Sequence, residues 1–92
     1  MNRTISRGVM TVDEILQMDS AFRYMLLARL QSDCEYYLNY GNGNVKRLWA
    51  GDEKRQIELM VRLHDSFDEK PEWLTMEEIM EYENKIITAK GL

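Results

Sequence analysis

The feature that most constrains the fold is an uninterrupted stretch from Ser20 to Tyr40, which contains neither proline nor glycine. Its apolar residues recur at steps of three and four, namely Phe22, Leu26, Leu27, Leu30, Cys34, Tyr37 and Leu38. This spacing places them on one face of an α-helix. About twenty residues at a rise of 1.5 Å make a helix of roughly 30 Å. The pattern therefore predicts one long helix against which the rest of the chain packs.

A segment rich in glycine and asparagine, residues 41–44, follows the long helix. Gly41 stands just past the last periodic residue, where glycine commonly closes a helix. Asn44 then caps one further turn that ends at Gly51, and Asp52 caps the next helix. The flanking residues have helical periodicity rather than alternation, so we favour a bent connector over a β-hairpin here.

Three further helices are predicted. Thr11 with Glu14 forms a capping box before a short leading helix, and Thr75 with Glu78 forms another before the last helix. A helix from Asp52 to about Phe67 is expected to bury Ile57, Leu59, Met60, Val61, Leu63, His64 and Phe67. The last helix, which Gly91 ends, is expected to bury Met76, Ile79, Met80, Tyr82, Ile86 and Ile87.

The fold class predicted from these patterns is all-α, a small irregular three- to four-helix bundle with a Gly/Asn-rich connector after the long helix. Residues 11–92 form one helical domain, and residues 1–10, which show no sustained period and no cap, form a flexible lead-in. The chain has 92 residues, which is enough for one core. Two exposed i,i+4 ion pairs are also predicted, Glu58 with Arg62 and Glu81 with Lys85.

Composition indicates a cytoplasmic protein. Hydrophobic residues make up 45% of the chain and charged residues 30%, which is typical of an ordinary globular domain. No apolar run approaches the roughly 20 residues of a membrane-spanning helix, and residues 1–10 lack the apolar stretch of a signal peptide. The lone cysteine, Cys34, cannot form an internal disulfide, which fits a reducing compartment.

Charge is unevenly distributed along the chain. The formal net charge of −4 disfavours simple nucleic-acid binding, which depends on lysine and arginine neutralising phosphates. Residues 41–55, however, hold four cations against two acidic residues, whereas residues 71–92 hold five glutamates against two lysines. Solvated helix faces explain this best. An alternative is that the acidic helix faces mimic nucleic acid, as in an anti-CRISPR protein that occupies the basic groove of its target.

The residues offer no catalytic or metal-binding signature. Nucleophilic catalysis needs a nucleophile beside a base that a third group orients, and Cys34 and His64 are the only cysteine and histidine. Both stand at apolar-facing helix positions, where an unreactive cysteine is the common case. The acidic residues lack the partners and loop spacing of zinc or calcium sites. We therefore predict no enzymatic activity, no cofactor and no metal.

One segment combines aromatic, glycine, asparagine and basic residues in the manner of a binding loop. For this segment we predict a partner-binding surface made of Tyr36, Asn39, Tyr40, Asn42, Asn44, Lys46, Arg47 and Trp49. The competing interpretation is core packing, which we favour for Tyr37, Leu38, Leu48 and Trp49. An alternative use of the segment is binding of single-stranded or structured nucleic acid, with Tyr40, Lys46, Arg47, Lys54 and Arg55 as the contacting residues. Anion binding at the glycine-rich turn is a weaker reading, because the G-K-[ST] ending of a P-loop is missing.

From Arg29 to Tyr82 the chain resembles the large polyvalent protein-associated domain of type eleven. The most specific parts are DCEYYLNYGN from Asp33, LWAG from Leu48 and PEWLTMEEI from Pro71. The resemblance implies a small helical domain of conjugative elements and phages of gut-dwelling Firmicutes, without an established activity or catalytic residue. It thus implies an accessory protein of a mobile element that acts against host defences.

The leading hypothesis from the sequence is a non-enzymatic interaction module that binds a protein partner, such as a host defence component. Nucleic acid is the less favoured partner, and no membrane association is expected. The sequence leaves the oligomeric state open. One alternative is a small homo-oligomer, for example a helical dimer in which exposed tyrosines complete a shared core.

Overall fold

The structure, a computed structural model, describes residues 11–40 and 44–90, apart from the side chain of Lys90. These residues form four α-helices: α1 (Val12–Leu16), α2 (Ser20–Asn39), α3 (Glu53–Asp65) and α4 (Met76–Lys90). A single 3-10 turn, Val45–Arg47, lies between α2 and α3. There is no strand in the described ranges, so the predicted all-α fold is confirmed. The predicted lead-in at residues 1–10 and the predicted helix ends at Gly41 and Gly91 lie outside these ranges.

The caps predicted from the sequence are present. Thr11 Oγ1 accepts a hydrogen bond from the Glu14 N–H at 3.1 Å, and the Glu14 carboxylate accepts one from the Thr11 N–H at 2.9 Å. Thr75 and Glu78 repeat this reciprocal arrangement at the start of α4. Asp52 caps α3 by accepting from the Arg55 N–H at 3.0 Å. Short polar side chains thus fix where three of the helices begin.

The core lies where α2 and α4 pack against α3 and against each other, with α1 closing one end against α3. Its fully buried apolar residues come from every helix and from the segment before α4, and include Ile15, Leu27, Leu30, Cys34, Met60, Leu63, Leu74 and Ile79. The prediction that Met80 and Ile87 are buried is wrong, because their exposed fractions are 36% and 40%. The buried stripe of α4 is narrower than its apolar stripe, and its main contacts are with α3 and α2.

The predicted surface ion pairs are also wrong. Within the described residues the ion pair is Arg29 with Asp33, whose Nε and Oδ1 atoms lie 3.1 Å apart. Neither the Glu58–Arg62 pair nor the Glu81–Lys85 pair forms there. Two long side chains that meet in water lose conformational freedom for little electrostatic gain, so spacing alone does not ensure such a pair.

The segment between α3 and α4, residues 66–75, is called the second connector below. Its Trp73 donates an indole hydrogen bond to the Tyr24 hydroxyl at 2.7 Å, and the Tyr24 ring meets the Phe67 and Trp73 rings edge to face, at 5.6 and 5.3 Å. Lys70 donates to the Phe67 carbonyl and, at 3.1 Å, to that of Asp65. The aromatic and basic groups of this connector are therefore used in holding the helices together.

Candidate functional site

The segment between α2 and α3, residues 44–52 and here called the first connector, is fixed from its inner side. Leu48 is buried in the core. The Trp49 N–H donates to Asp33 Oδ2 at 2.8 Å, and the Ala50 N–H donates to Gln56 Oε1 at 3.0 Å. Gln56 is fully buried, and its Nε2 donates to the Leu30 carbonyl at 3.1 Å. These directional bonds hold the connector against α2 and α3 in one position.

Local sequence shapes the same connector. Asn44 Oδ1 accepts from the Lys46 N–H at 2.9 Å and so caps the 3-10 turn. At the other end Gly51 has φ of +74°, a left-handed conformation that costs side-chain-bearing residues energy. The predicted order of features, a capping residue followed by one turn and a glycine that ends it, is confirmed. Because both ends are fixed, Lys46 and Arg47 project from a defined position.

The outer side of this region is a row of stacked side chains. The Tyr36 and Tyr40 rings lie 5.6 Å apart at 50°, and the Arg47 Cζ atom lies 5.1 Å from the centre of the Tyr36 ring. Tyr36 is 44% exposed and Tyr40 is 73% exposed. Tyr36, one turn back from Tyr40 on α2, is thus covered on two sides by a ring and a guanidinium group. The row presents aromatic surface next to positive charge.

A groove of about 340 Å³ runs beside this row, between α2 and the first connector. It is lined by Arg29, Ser32, Asp33, Tyr36, Lys46 and Arg47. The one carboxylate, that of Asp33, is already bonded to Arg29 Nε and to the Trp49 N–H. Three cations therefore surround the groove against one carboxylate, and the groove is positive in a chain that is negative overall.

The structure separates the predicted site residues into three groups. The exposed ones are Tyr36, Asn39, Tyr40, Asn44, Lys46 and Arg47. Trp49 is partly buried and packs against the core, as does Leu38, while Tyr37 and Leu48 are buried as predicted. Asn42 lies outside the described residues. We name the exposed residues Tyr36, Tyr40, Lys46 and Arg47, together with Arg29, the aromatic–basic surface.

The residues proposed for nucleic acid do not all come together. Lys54 and Arg55 are exposed in the first turn of α3, and neither lines the groove beside Tyr36. Lys54 instead lines a separate groove of about 260 Å³ with Ile57 and Glu83. Conversely, sequence reasoning missed Arg29 and Ser32. Helical spacing is the signal that identifies them, because they precede Tyr36 by seven and four residues and so share its face.

Cys34 and His64 are both occupied with packing. The Cys34 thiol lies 3.6 Å from the Met60 sulfur, and burial raises the pKa of Cys34 to about 12, which keeps it in the unreactive thiol form. His64 Nε2 donates to the Leu74 carbonyl at 2.9 Å, since a carbonyl only accepts. In the described ranges, no group of three or more His, Cys, Asp or Glu side chains is placed to hold a metal ion.

Two tyrosines tie the helices together behind the aromatic–basic surface. The Tyr37 hydroxyl donates to Glu53 at 2.7 Å, and the Tyr82 hydroxyl donates to Glu35. Burial and the bond to Glu35 raise the pKa of Tyr82 to about 12, and burial also raises the pKa of Tyr37. Both phenols therefore stay neutral donors at physiological pH, and they hold α2 to α3 and α4.

The described residues thus define a class of protein, a small all-α domain that displays aromatic and basic side chains at one end of its longest helix. The family model of the large polyvalent protein-associated domain 11 matches residues 20–86, and the chain belongs to this family. The match begins nine residues before the resemblance seen in the sequence and takes in the whole of α2. Searches among curated proteins and among solved structures found no match. None of the described helices is both long and apolar enough to cross a membrane.

Proposed function

We propose that this chain is a non-enzymatic interaction module of a mobile element, which binds a protein partner through the aromatic–basic surface. The observation that carries the proposal is the exposed row of Tyr40, Tyr36 and Arg47. Their hydroxyl and guanidinium groups make no hydrogen bond to any described side chain or backbone group. A host defence component is the partner that the family context favours.

The residue types of the surface support a protein as the partner. Tyrosine and arginine are enriched among the residues that contribute most to protein–protein binding, because they combine large contact area with polar ends. The inner anchoring of the first connector adds to this, because a surface that is already ordered loses less conformational entropy on binding. The use of Cys34 and His64 in packing supports a role without catalysis.

A pull-down from host lysate tests the proposal. Tagged wild-type protein is compared with a Tyr40→Ala, Arg47→Ala double variant, whose two side chains are exposed and distant from the core. We expect the double variant to lose the partner that the wild type recovers. A matched control, Arg62→Ala with Lys85→Ala, removes two exposed cations from other faces and is expected to recover it. Equal recovery of every partner by wild type and double variant would exclude this surface.

A second function, binding of single-stranded nucleic acid, is favoured by one observation, the three cations beside two adjacent exposed tyrosine rings. Phosphate contacts make affinity fall steeply as salt is added, and aromatic rings stack on bases without strong sequence preference. Oligonucleotide binding at increasing salt concentration separates the two functions. Retention at low salt that Lys46→Ala and Arg47→Ala abolish supports nucleic acid, and no retention at any salt concentration rejects it.

A further inference from the structure

The outward face of α2 carries a stripe that leads into the aromatic–basic surface. Its members recur at steps of three and four and are all exposed: Ala21, Met25, Ala28, Ser32 and Tyr36. Met25 is 71% exposed, although it is one of the larger apolar side chains. The first half of this face is thus apolar, with Met25 between two alanines. Its second half lies beside Arg29, Lys46 and Arg47.

The outward face of α4 has the opposite charge and a similar apolar element. Glu77 and Glu81 are exposed near its start, and its larger apolar residues Met80 and Ile87 are 36% and 40% exposed, with Ile87 at the edge of the groove between α3 and α4. These four residues, with Asn84, recur at helical spacing on one side of α4. The acidic end of this face comes first along the helix, and the apolar end comes last.

We propose that the α4 face of a second copy of this chain docks antiparallel on the α2 face. In that orientation the acidic start of α4 meets the basic end of α2, and Ile87 lies against the apolar start of α2 beside Met25. Met80 then faces the small side chains of Ala28 and Ser32, which leave room for it. A parallel arrangement places glutamates on apolar residues and cations beside Ile87, and it is therefore disfavoured.

The association is head-to-tail, because the two faces belong to different helices of the same molecule. Each copy offers one basic face and one acidic face, so assembly extends until it closes into a ring or continues as an open chain. This inference goes beyond the proposed function and shares with it the aromatic–basic surface. A second copy on that surface competes with any foreign partner, and self-association then regulates partner binding.

Sedimentation velocity of the purified chain over a range of concentrations tests this inference. We expect the weight-average sedimentation coefficient of the wild type to rise with concentration. Two variants, Lys46→Glu with Arg47→Glu and Glu77→Lys with Glu81→Lys, each reverse the charge of one face and are expected to weaken association at least about tenfold. Because salt at about 1 M shortens the Debye length to about 3 Å, added salt is expected to weaken wild-type association as well.

Mixing the two charge-reversed variants gives the sharpest result. Each variant keeps the face that the other has lost, and the two reversed faces are again complementary to each other, so the mixture is expected to associate where each variant alone does not. A symmetric dimer formed through two α2 faces would give a different result, because charge reversal on α4 would then have no effect on association. A wild type that stays monomeric throughout, or a mixture that stays monomeric, overturns the inference.

Controls separate association from folding and from the proposed function. Circular dichroism checks that each variant keeps its helix content, and Glu77→Gln with Glu81→Gln removes the two charges of the α4 face without reversing them. Glu58→Lys with Arg62→Glu alters exposed charges on α3 and is expected to associate as the wild type does. The experiment contains only the purified chain, so a monomeric wild type leaves the lysate result unaffected, and failure to capture a partner leaves self-association unaffected.

Discussion

The two connectors contain similar residue types but use their basic groups in opposite ways. In the second connector, Trp73 bonds to Tyr24, and Lys70 bonds to the carbonyls of Phe67 and of Asp65, the last residue of α3. In the first connector, Trp49 is anchored through its backbone N–H to Asp33, and Lys46 points outward. Both tryptophans therefore pack against the core, whereas the basic group caps the end of α3 in the second connector and stays available for contact in the first.

The comparison teaches that exposure alone does not identify a binding residue. Tyr24 and Tyr36 are similarly exposed, at 41% and 44%. Tyr24 nevertheless accepts a hydrogen bond from Trp73 and meets the rings of Phe67 and Trp73, whereas the Tyr36 ring interacts with the exposed side chains of Tyr40 and Arg47. Whether the polar group of a side chain has a hydrogen-bond partner is therefore more informative than the exposed fraction of that side chain.

The largest expected effect is that of Gln56→Leu, which removes the inner anchor of the first connector. The variant loses the bonds to Ala50 and Leu30 and leaves the partly buried Ala50 N–H without a partner. We expect the free energy of unfolding to fall by about 2 kcal/mol, because an unmet buried polar group is costly. Urea denaturation measures this. Gln17→Leu, a similar change at an exposed position, is the control, and an equal loss in both variants would contradict the anchoring role.

A matched pair on α2 tests the comparison directly. Tyr24→Ala removes two edge-to-face ring contacts and a hydrogen bond, so we expect a loss of about 1.5 kcal/mol. Tyr40→Ala removes a side chain that is 73% exposed, and we expect a change within about 0.5 kcal/mol. Thermal unfolding of both variants under the same conditions measures the two losses of stability. If Tyr40→Ala is as destabilising as Tyr24→Ala, the tyrosines of the aromatic–basic surface contribute to stability too, and the contrast fails.

A smaller effect is expected from Gly51→Ala. A Cβ atom there would meet nothing within 4 Å, so the cost comes only from the left-handed backbone and is about 1 kcal/mol. Gly51→Asn is expected to lose less, because asparagine adopts this conformation more readily. Chemical denaturation of the wild type, Gly51→Ala and Gly51→Asn ranks their free energies of unfolding. Alanine as stable as glycine would show that the turn changes its conformation, and the position of Lys46 and Arg47 would then be less fixed than the bonds of the first connector indicate.

Much of the fold was predictable because its signals are local. Caps such as Thr11 and Asp52 bond to backbone within three residues, and apolar spacing reports which side of a helix meets the core. The candidate site was predictable only in part. Helical spacing places Arg29 on the same face as Tyr36, but only the packing of the first connector on α2 brings Arg29 to the same groove as Lys46 and Arg47. The burial predicted for Met80 and Ile87 failed because periodicity does not reveal how wide the covering surface is.

The sequence by itself determined the helices, their starting points and the bent, glycine-ended turn, since these depend on bonds and spacings within a few residues. Only the tertiary structure decided which aromatic and basic groups stabilise the fold and which remain outside. That outcome depends on contacts between residues far apart in the chain, such as Gln56 with Leu30 and Trp73 with Tyr24. Those contacts exist only once the helices have packed, and packing buries one face of each helix while leaving the other to meet a partner.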